Sequence, residues 1–247
     1  MRNMNGDAIR ELLNCTTALV LDMCGTFMFG HDRFGPDQAY GETYRLLGGT
    51  TLSNENICRV IAACLLRMNA MYIDAARHNS FPSVLSTLRV LPETARCSES
   101  ELSLVEEVFA KHEVGRVPQG YAETLQSLAK RYRLALVTNI WSRKSKYVEE
   151  LKRAEVFTLF DEFVFSSDGC TVKPSPNLFQ RAVASLGVET SEALVIGDSL
   201  RCDIGGASAA GLRSIWIDPT NLGPPSVGPR PHAWIRSLLE LTSIISK

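Results

Sequence analysis

Residues 18–26, with the sequence A-L-V-L-D-M-C-G-T, constrain the fold more than any other part of the chain. Four apolar residues run directly into Asp22, and Gly25 and Thr26 follow closely. A short apolar run bounded by turn residues is typical of a strand buried on both faces, as in a parallel sheet. Asp22 would then stand at the carboxyl end of that strand, where open α/β sheets bind ligands. This segment alone leaves two interpretations open: Asp22 caps a turn, or a metal or hydrogen-bond donors offset its charge.

The composition is that of an ordinary globular protein. The chain has 247 residues, of which 45% are hydrophobic and 21% charged, enough for a large core with an insertion. A net charge of -1 gives no reason to expect nucleic acid or a membrane as partner. The seven cysteines form no C-x-x-C pair, which argues against a disulfide framework and a structural zinc site. The N-terminus is too polar for a signal peptide and no apolar run reaches about 18 residues, so we expect a cytoplasmic protein.

Helical periodicity fills the region after the first predicted strand. The clearest helix starts at Ser53, a predicted N-cap, and its apolar face has helical spacing: Ile57, Val60, Ile61, Cys64, Leu65, Met68, Tyr72 and Ala75. Shorter helices are predicted at 37–47, 82–91 and 100–112. Sulfur-containing side chains along such a stripe are typical of a core rather than of a metal site. We therefore predict an all-helical domain over residues 35–113.

Helices and buried strands alternate in the rest of the chain. Strands are predicted at 134–137, 162–166, 193–196 and 214–218, and helices at 7–14, 119–131, 143–155, 176–186 and 203–210, with one more at the C-terminus. Residues 27–36 are rich in aromatic residues and glycine, which favours a hairpin or flap. This alternation predicts an α/β fold, a doubly wound parallel sheet formed by residues 1–34 and 114–247.

Polar side chains follow the predicted strands at their carboxyl ends. They are Asp22, Thr138, Asn139, Lys173, Asp198 and Asp203. Each has a simple structural explanation alone, such as a helix cap, but together they favour a site at one edge of the sheet. Carboxylates with backbone carbonyls suit Mg²⁺, whereas hydroxyl, amide and ammonium groups suit a phosphoryl group. An aspartate beside a metal can act as a nucleophile.

With four motifs in this order, the chain resembles the haloacid dehalogenase superfamily of hydrolases. The motifs are L-V-L-D-M-C-G-T at 19–26, A-L-V-T-N at 135–139, V-K-P-S-P at 172–176 and V-I-G-D-S-L-R-C-D at 195–203. The resemblance implies a Rossmann-like core with a helical cap that selects the substrate.

Roles for individual residues also follow from the resemblance. It implies that Asp22 is the nucleophile and that Thr138, Asn139 and Lys173 bind the phosphoryl group. It further implies Mg²⁺ as cofactor, held by Asp22, Asp198 and Asp203 and by the backbone carbonyl of Cys24. The expected partner is a small phosphorylated substrate, and the expected state a monomer or homodimer.

The chain departs from the family pattern at Cys24, where the phosphatases usually carry a second aspartate that acts as general acid and base. A thiol is a weaker acid than a carboxyl, and at neutral pH it is mostly protonated and a poor base. Three interpretations stay open: a phosphohydrolase with weakened proton transfer, a non-catalytic protein that binds a phosphorylated ligand or partner, and a 2-haloacid dehalogenase.

Two further sets of residues are minor candidates. His31 and Asp32 would replace the missing acid if the flap folds inward, or else they form an exposed turn. Arg33, Arg45, Arg59 and Arg67 would meet an anionic substrate, or else they lie on solvated helix faces.

Overall fold

The strands carry apolar residues on both faces, and they assemble into one parallel sheet with helices on either side. A computed structural model describes residues 4–245 of the chain. In chain order the strands are β1 (Ala18–Leu21), β2 (Arg133–Thr138), β3 (Glu162–Phe165), β4 (Ala193–Gly197), β5 (Arg213–Ile217) and β6 (Ala233–Ile235). The helices are α1 (Met4–Asn14), α2 (Tyr40–Leu46), α3 (Asn54–Tyr72), α4 (Val84–Leu88), α5 (Glu99–Glu113), α6 (Gln119–Ala129), α7 (Ser145–Arg153), α8 (Pro176–Leu186), α9 (Gly205–Ala209) and α10 (Glu240–Ile245).

The sheet has the strand order β3-β2-β1-β4-β5-β6, and every neighbouring pair is parallel. β1 is central, with Leu19 paired to Leu134 on one side and to Leu194 on the other. Because the chain leaves β1 toward β2 and later returns to β1 through β4, the strand order reverses at this point. Such a switch point opens a crevice at the carboxyl ends of the strands. The predicted doubly wound parallel sheet is confirmed.

Alternating residues of β1 fill the two layers beside the sheet. Leu19 and Leu21 pack with α1, α6, α7 and α10, whereas Ala18 and Val20 pack with α8 and α9. All four residues are 0% exposed, as expected for a strand covered on both faces. Asp22 therefore follows the most deeply buried strand of the fold.

The helices α2 to α5 enclose an apolar cluster of their own, separate from both sheet layers. The predicted cap of α3 is present, because Ser53 Oγ accepts a hydrogen bond from the Asn56 backbone N–H at 3.2 Å. Most of the predicted stripe is buried, but α3 ends at Tyr72, so Ala75 lies beyond it and is exposed. We call residues 35–113 the cap, and these bounds remain a prediction. Of the predicted core, residues 1–3 and 246–247 lie outside the described residues.

The flap at 27–36 does not close into a hairpin with itself. It pairs instead with the segment that leaves the cap, where the Phe29 and Arg116 backbones exchange two hydrogen bonds of 2.8 Å. Asp32 and Arg33 continue this pairing by donating their backbone N–H groups to Glu113 and His112. The two segments that enter and leave the cap thus run antiparallel to each other. The partner lies about eighty positions away, so local sequence could not indicate it.

Two further features differ from the sequence-based expectation. The edge strand β6 was not predicted, because three residues after a loop rich in proline and glycine show no usable periodicity. The helix predicted at 203–210 starts earlier, with a wide π-type turn at Leu200–Ile204 that continues into α9. Within residues 4–245, no helix combines the length and apolar character that a membrane crossing requires.

Candidate active site

Asp22 stands at the centre of the sheet's carboxyl edge. Its backbone N–H donates to the carbonyl of Ile196 at 2.9 Å, so the loop after β1 stays in register with β4. Its carboxylate accepts a hydrogen bond of 3.0 Å from the Thr26 hydroxyl, and only 6% of the residue is exposed. Burial raises the pKa of Asp22, although Lys173 opposes the shift. The structure therefore fixes a desolvated carboxylate where the sequence placed the nucleophile.

Lys173 joins three elements at this edge. Its buried ammonium donates to Asp22 Oδ1 at 2.5 Å, to Asp203 Oδ1 at 2.7 Å and to the Val137 carbonyl at 3.0 Å. Burial alone would lower the pKa of Lys173, but Asp203 and Asp22 together raise it, so the ammonium stays charged. A buried charge that is fully paired in this way holds its neighbours in fixed positions.

Three carboxylates converge beside this ammonium. Oxygen atoms of Asp22, Asp198 and Asp203 all lie within 4.8 Å of one another. Burial raises the pKa of Asp203 to about 6, and burial together with Asp203 raises the pKa of Asp198 to about 6. With all three ionised and Lys173 protonated, the cluster carries a net charge of -2, so a divalent cation would neutralise it. An oxygen-only set of this kind fits Mg²⁺ rather than a metal that prefers nitrogen or sulfur.

The backbone around the carboxylates has no room for side chains. Gly25 adopts a φ of +85°, and a Cβ there would collide with the Asp198 carboxylate. A Cβ on Gly197 would likewise collide with Asp203, whose carboxylate accepts from the Ser199 backbone N–H at 2.9 Å. These glycines explain the G-T and G-D dipeptides of the motifs, because each lets a backbone loop approach a carboxylate closely.

Thr138 and Asn139, at the end of β2, differ in their roles. The Thr138 hydroxyl is enclosed and has no hydrogen-bond partner, which is costly unless a ligand supplies one. The Asn139 side chain is already engaged, accepting from the Lys173 backbone N–H at 2.8 Å and donating to the Tyr72 hydroxyl at 2.8 Å. The Thr138 hydroxyl can therefore form a hydrogen bond with a ligand, whereas the Asn139 amide already links Lys173 and Tyr72 of the cap.

Cys24 lies in the loop after β1, and its thiol is partly buried there. Burial raises the pKa of its thiol well above the ordinary value, and Asp22, Asp32 and Glu113 raise it further. The thiol is thus protonated at neutral pH and a poor base. This raised pKa gives a structural reason for the weakened proton transfer that the sequence predicts at position 24.

A cavity of about 350 Å³ opens between the flap, the cap and the loop after β2, with Cys24 in its wall. We call it the cap-side cavity. Its polar lining consists of Cys24, Asp32, Asn69, Glu113 and Asn139, and its apolar or aromatic lining of Phe34, Leu65, Tyr72, Trp141 and Tyr147. Asp32, one of the two minor candidates for an acid, therefore lies at this cavity, with 63% of its side chain exposed.

The arginines considered for an anionic substrate lie elsewhere. Among the residues that the structure describes, none of these four arginines lines the cap-side cavity. Arg33 donates to the carbonyls of Gly30 and Val114, and Arg45 to those of Gly49 and Leu52. Arg59 pairs with Glu55 one helical turn away on the exposed surface of α3, at 2.7 Å.

Glu113 is a buried residue that the sequence analysis did not single out. Its two carboxylate oxygens accept from the backbone N–H groups of Trp141 and Ser142 and from the Ser142 hydroxyl. Burial raises the pKa of Glu113 to about 7 in spite of these bonds. As the last residue of α5, it reads in sequence as a solvated helix end. Its partners lie 28 and 29 positions further along the chain, so only the fold reveals its role.

Tyr72, at the end of α3, contacts the sheet edge from the cap. Its hydroxyl lies 3.1 Å from the Cys202 Sγ as well as 2.8 Å from Asn139. The Arg201 guanidinium is 4.8 Å from the centre of its ring. The apolar stripe of α3 did identify Tyr72, but as a core residue rather than as a wall of a site.

Comparison with known proteins agrees with this geometry. A family model described as haloacid dehalogenase-like hydrolase matches residues 66–217, more than half of the chain. The N-acylneuraminate-9-phosphatase of Mus musculus is 31% identical over 122 residues, which cover 49% of this chain and 48% of that protein. The 5-amino-6-(5-phospho-D-ribitylamino)uracil phosphatase of Escherichia coli is 33% identical over 135 residues, 52% of each chain. The chain thus spans about half the length of the curated relatives it matches.

A solved structure extends the comparison to the whole fold. A phosphatase of the same superfamily from Thermococcus onnurineus superposes with a TM-score of 0.63 and covers 93% of this chain and 98% of its own. The two sequences are 23% identical, so this likeness concerns the fold alone.

Proposed function

The chain belongs to the haloacid dehalogenase-like hydrolase family, and we propose that it is a magnesium-dependent phosphohydrolase whose nucleophile is Asp22. The observation that carries the proposal is the position of Lys173, which bridges Asp22 and Asp203 at the sheet edge. The unpartnered Thr138 hydroxyl beside it supports a phosphoryl ligand. A small phosphorylated metabolite is the substrate we propose, and a cytoplasmic monomer or homodimer the working form.

The roles of the residues follow from their contacts. Lys173 and Thr138 would bind the phosphoryl oxygens and orient the phosphorus toward the Asp22 carboxylate. Asp22, Asp198 and Asp203, with the backbone carbonyl of Cys24, would hold Mg²⁺, which offsets the charge of a bound phosphoryl group. An Asp22 oxygen attacks phosphorus and the bond to the leaving oxygen breaks, giving an aspartyl phosphate that water then hydrolyses.

Cys24 sets the expected limit of this chemistry. With a protonated thiol of raised pKa, position 24 supplies neither an efficient proton donor for the leaving oxygen nor an efficient acceptor for the attacking water. General acid and base catalysis is worth roughly 10² to 10⁴ in rate. The enzyme should therefore act best on aryl and acyl phosphates, whose leaving groups depart without a proton.

Two other functions remain as alternatives. A non-catalytic protein that binds a phosphorylated ligand or partner is favoured by Cys24, but it gives no reason for Lys173 to be paired with two carboxylates. A 2-haloacid dehalogenase is less favoured, because three carboxylates that together with Lys173 carry a net charge of -2 would repel an anionic haloacid.

The test is hydrolysis of p-nitrophenyl phosphate and acetyl phosphate with and without Mg²⁺, with Asp22→Asn as control. We expect turnover that needs both Mg²⁺ and Asp22. N-acylneuraminate 9-phosphate and 5-amino-6-(5-phospho-D-ribitylamino)uracil, suggested by the names of the relatives, belong in the same panel. Turnover without metal would contradict the proposal, and chloride release from 2-haloacids would favour the dehalogenase. A biological role that persists in Asp22→Asn would favour the binding protein.

A further inference from the structure

The cap-side cavity has a chemical character that the family alone does not specify. It adjoins Cys24, two residues after Asp22, and Asn139, the neighbour of Thr138 in sequence. At about 350 Å³ it has the size of a small-molecule pocket. On the proposed function, the part of the substrate that leaves the phosphorus would occupy it.

One wall of the cavity is aromatic. The rings of Tyr72 and Trp141 lie 5.5 Å apart between centres, and Phe81 packs behind them at 5.9 and 5.6 Å. Phe34, held 4.6 Å from the ring of Phe109, lies in the wall nearer the flap. The planes of Tyr72 and Trp141 meet at 61°, so the wall offers both ring edges and ring faces, and an aromatic ligand can pack against either.

The charged groups in the lining are all acidic. Asp32 and Glu113 contribute carboxyl groups, and in the described residues no lysine, arginine or histidine lines the cavity. His31 lies 3.9 Å from Asp32, but it stands outside the lining. A carboxylate or second phosphate on the leaving group would be repelled by the Asp32 carboxylate and, above the pKa of about 7, by the Glu113 carboxylate as well.

We propose that the substrate is an aryl phosphate whose aromatic leaving group is neutral or positively charged. The inference rests on the proposed function and adds the class of leaving group. It agrees with the chemistry at position 24, because a phenol oxygen departs readily without a proton donor. The aromatic wall favours a ring in the leaving group, and the acidic lining disfavours a negative charge on that ring. These two independent observations together define the class.

The reaction balances without any further reactant. An Asp22 oxygen forms a bond to phosphorus, and the electrons of the phosphorus–aryl oxygen bond leave with a phenolate, which takes a proton from solvent. Water then forms a bond to phosphorus, the bond to Asp22 breaks, and phosphate departs. One proton of that water stays on the phosphate and the other passes to solvent.

The first experiment compares two substrates that differ in ring charge, 4-(aminomethyl)phenyl phosphate and 4-carboxyphenyl phosphate. We expect kcat/KM to favour the cationic ring by roughly tenfold or more, from the charges at the cavity. Asp32→Asn should reduce that ratio, whereas Asp37→Asn, an exposed acid of the same loop outside the lining, should leave it unchanged. Equal kcat/KM for the two substrates would overturn the inference.

The second experiment removes the aromatic wall. Trp141→Leu should raise KM for phenyl phosphate at least about fivefold. It should leave KM for acetyl phosphate unchanged, because acetyl phosphate has no ring to stack. Phe34→Leu makes the same test if the first variant does not fold, and Phe157→Leu, whose ring stacks on Phe163 away from the cavity, is the matched control. Equal effects on both substrates would overturn the inference.

Acetyl phosphate also separates the two proposals. If it phosphorylates Asp22 but aryl substrates show no preference, the inference on the leaving group is wrong and the proposed function stands. If it does not phosphorylate Asp22, both are wrong.

Discussion

The two sides of the site are built in different ways. On the sheet side, Lys173 donates to Asp22, Asp203 and a backbone carbonyl, so the charges of these three residues are paired with one another. On the cap side, burial raises the pKa of the Cys24 thiol and of the Glu113 carboxyl, and in the described residues no lysine, arginine or histidine lines the cavity beside them. On the proposed function, the sheet side would bind and attack the phosphoryl group. The cap side lacks an acid at the usual position.

Phosphoryl attack and proton transfer are therefore separate properties of the site. The first depends on strand ends that the parallel sheet brings together. The second depends on one side chain in the loop after β1 and on what the cap places opposite it. A chain can therefore keep the groups for phosphoryl attack while it changes the group for proton transfer. Such a change alters the class of leaving group that the enzyme can release.

The largest expected effect comes from removing the ammonium on the sheet side. Lys173→Met leaves two buried carboxylates without their cation, so the free energy of unfolding should fall by about 3–5 kcal/mol and phosphotransfer should be lost. Lys144→Met breaks an exposed pair with Asp168 and should cost at most about 1 kcal/mol. Denaturant unfolding without added metal measures both. Equal stability of the Lys173 variant and the parent would show that the sheet side is not held by charge.

The next effect restores the missing acid on the cap side. Cys24→Asp should raise kcat/KM for alkyl phosphates by roughly 10² or more, and for aryl phosphates much less, because only the alkyl leaving group needs a proton. Cys24→Ser, which supplies no carboxyl, is the control and should change neither rate much. If Cys24→Asp accelerates alkyl and aryl phosphates alike, position 24 is not where protons move.

A third prediction concerns the burial of Glu113. Its pKa rises from 4.5 to about 7 on folding, so the folded state binds this proton more tightly than the unfolded chain. Stability should therefore fall as pH rises from about 4.5 through about 7, by about 3 kcal/mol in total.

Glu113→Gln should flatten this dependence, measured as the free energy of unfolding at a series of pH values with saturating Mg²⁺. Glu93→Gln, an exposed glutamate, serves as control and should keep the slope of the parent. An unchanged slope in Glu113→Gln would mean that this carboxyl is not desolvated.

The smallest effect separates binding from stability on the sheet side. Thr138→Val replaces an enclosed, unpartnered hydroxyl by a methyl of similar size, so stability should stay the same or rise slightly. Loss of a hydrogen bond to a charged phosphoryl oxygen should lower kcat/KM roughly tenfold or more. A stability loss above about 1 kcal/mol would instead show that the hydroxyl has a structural partner.

The sequence predicted the sheet side well because its information is local. Each strand carries an apolar run that ends in a polar residue, and parallel strands bring those ends to one edge. Asp22, Lys173 and Asp203 therefore come together as the motifs implied, and Asp198 joins them within 4.8 Å of Asp22 and Asp203. The short strand β6 escaped prediction because three residues carry no periodicity.

The cap side could not be predicted in the same way. Glu113, Tyr72 and Trp141 are brought together by tertiary contacts between α5, α3 and the loop after β2, and each looks ordinary in its own segment. The assignment of Asn139 to the phosphoryl group remains a prediction, but its side chain already binds Tyr72 and the Lys173 backbone. Only the fold shows that one amide links the two sides.

We propose that Asp22 accepts a phosphoryl group, and mass spectrometry of the intact protein tests this role most directly. After brief reaction with Mg²⁺ and acetyl phosphate or p-nitrophenyl phosphate and acid quenching, we predict one added phosphoryl group, located on the peptide that contains Asp22. Asp22→Asn should gain none. A phosphoryl group elsewhere in the chain, or none in the parent under conditions of turnover, would contradict the account.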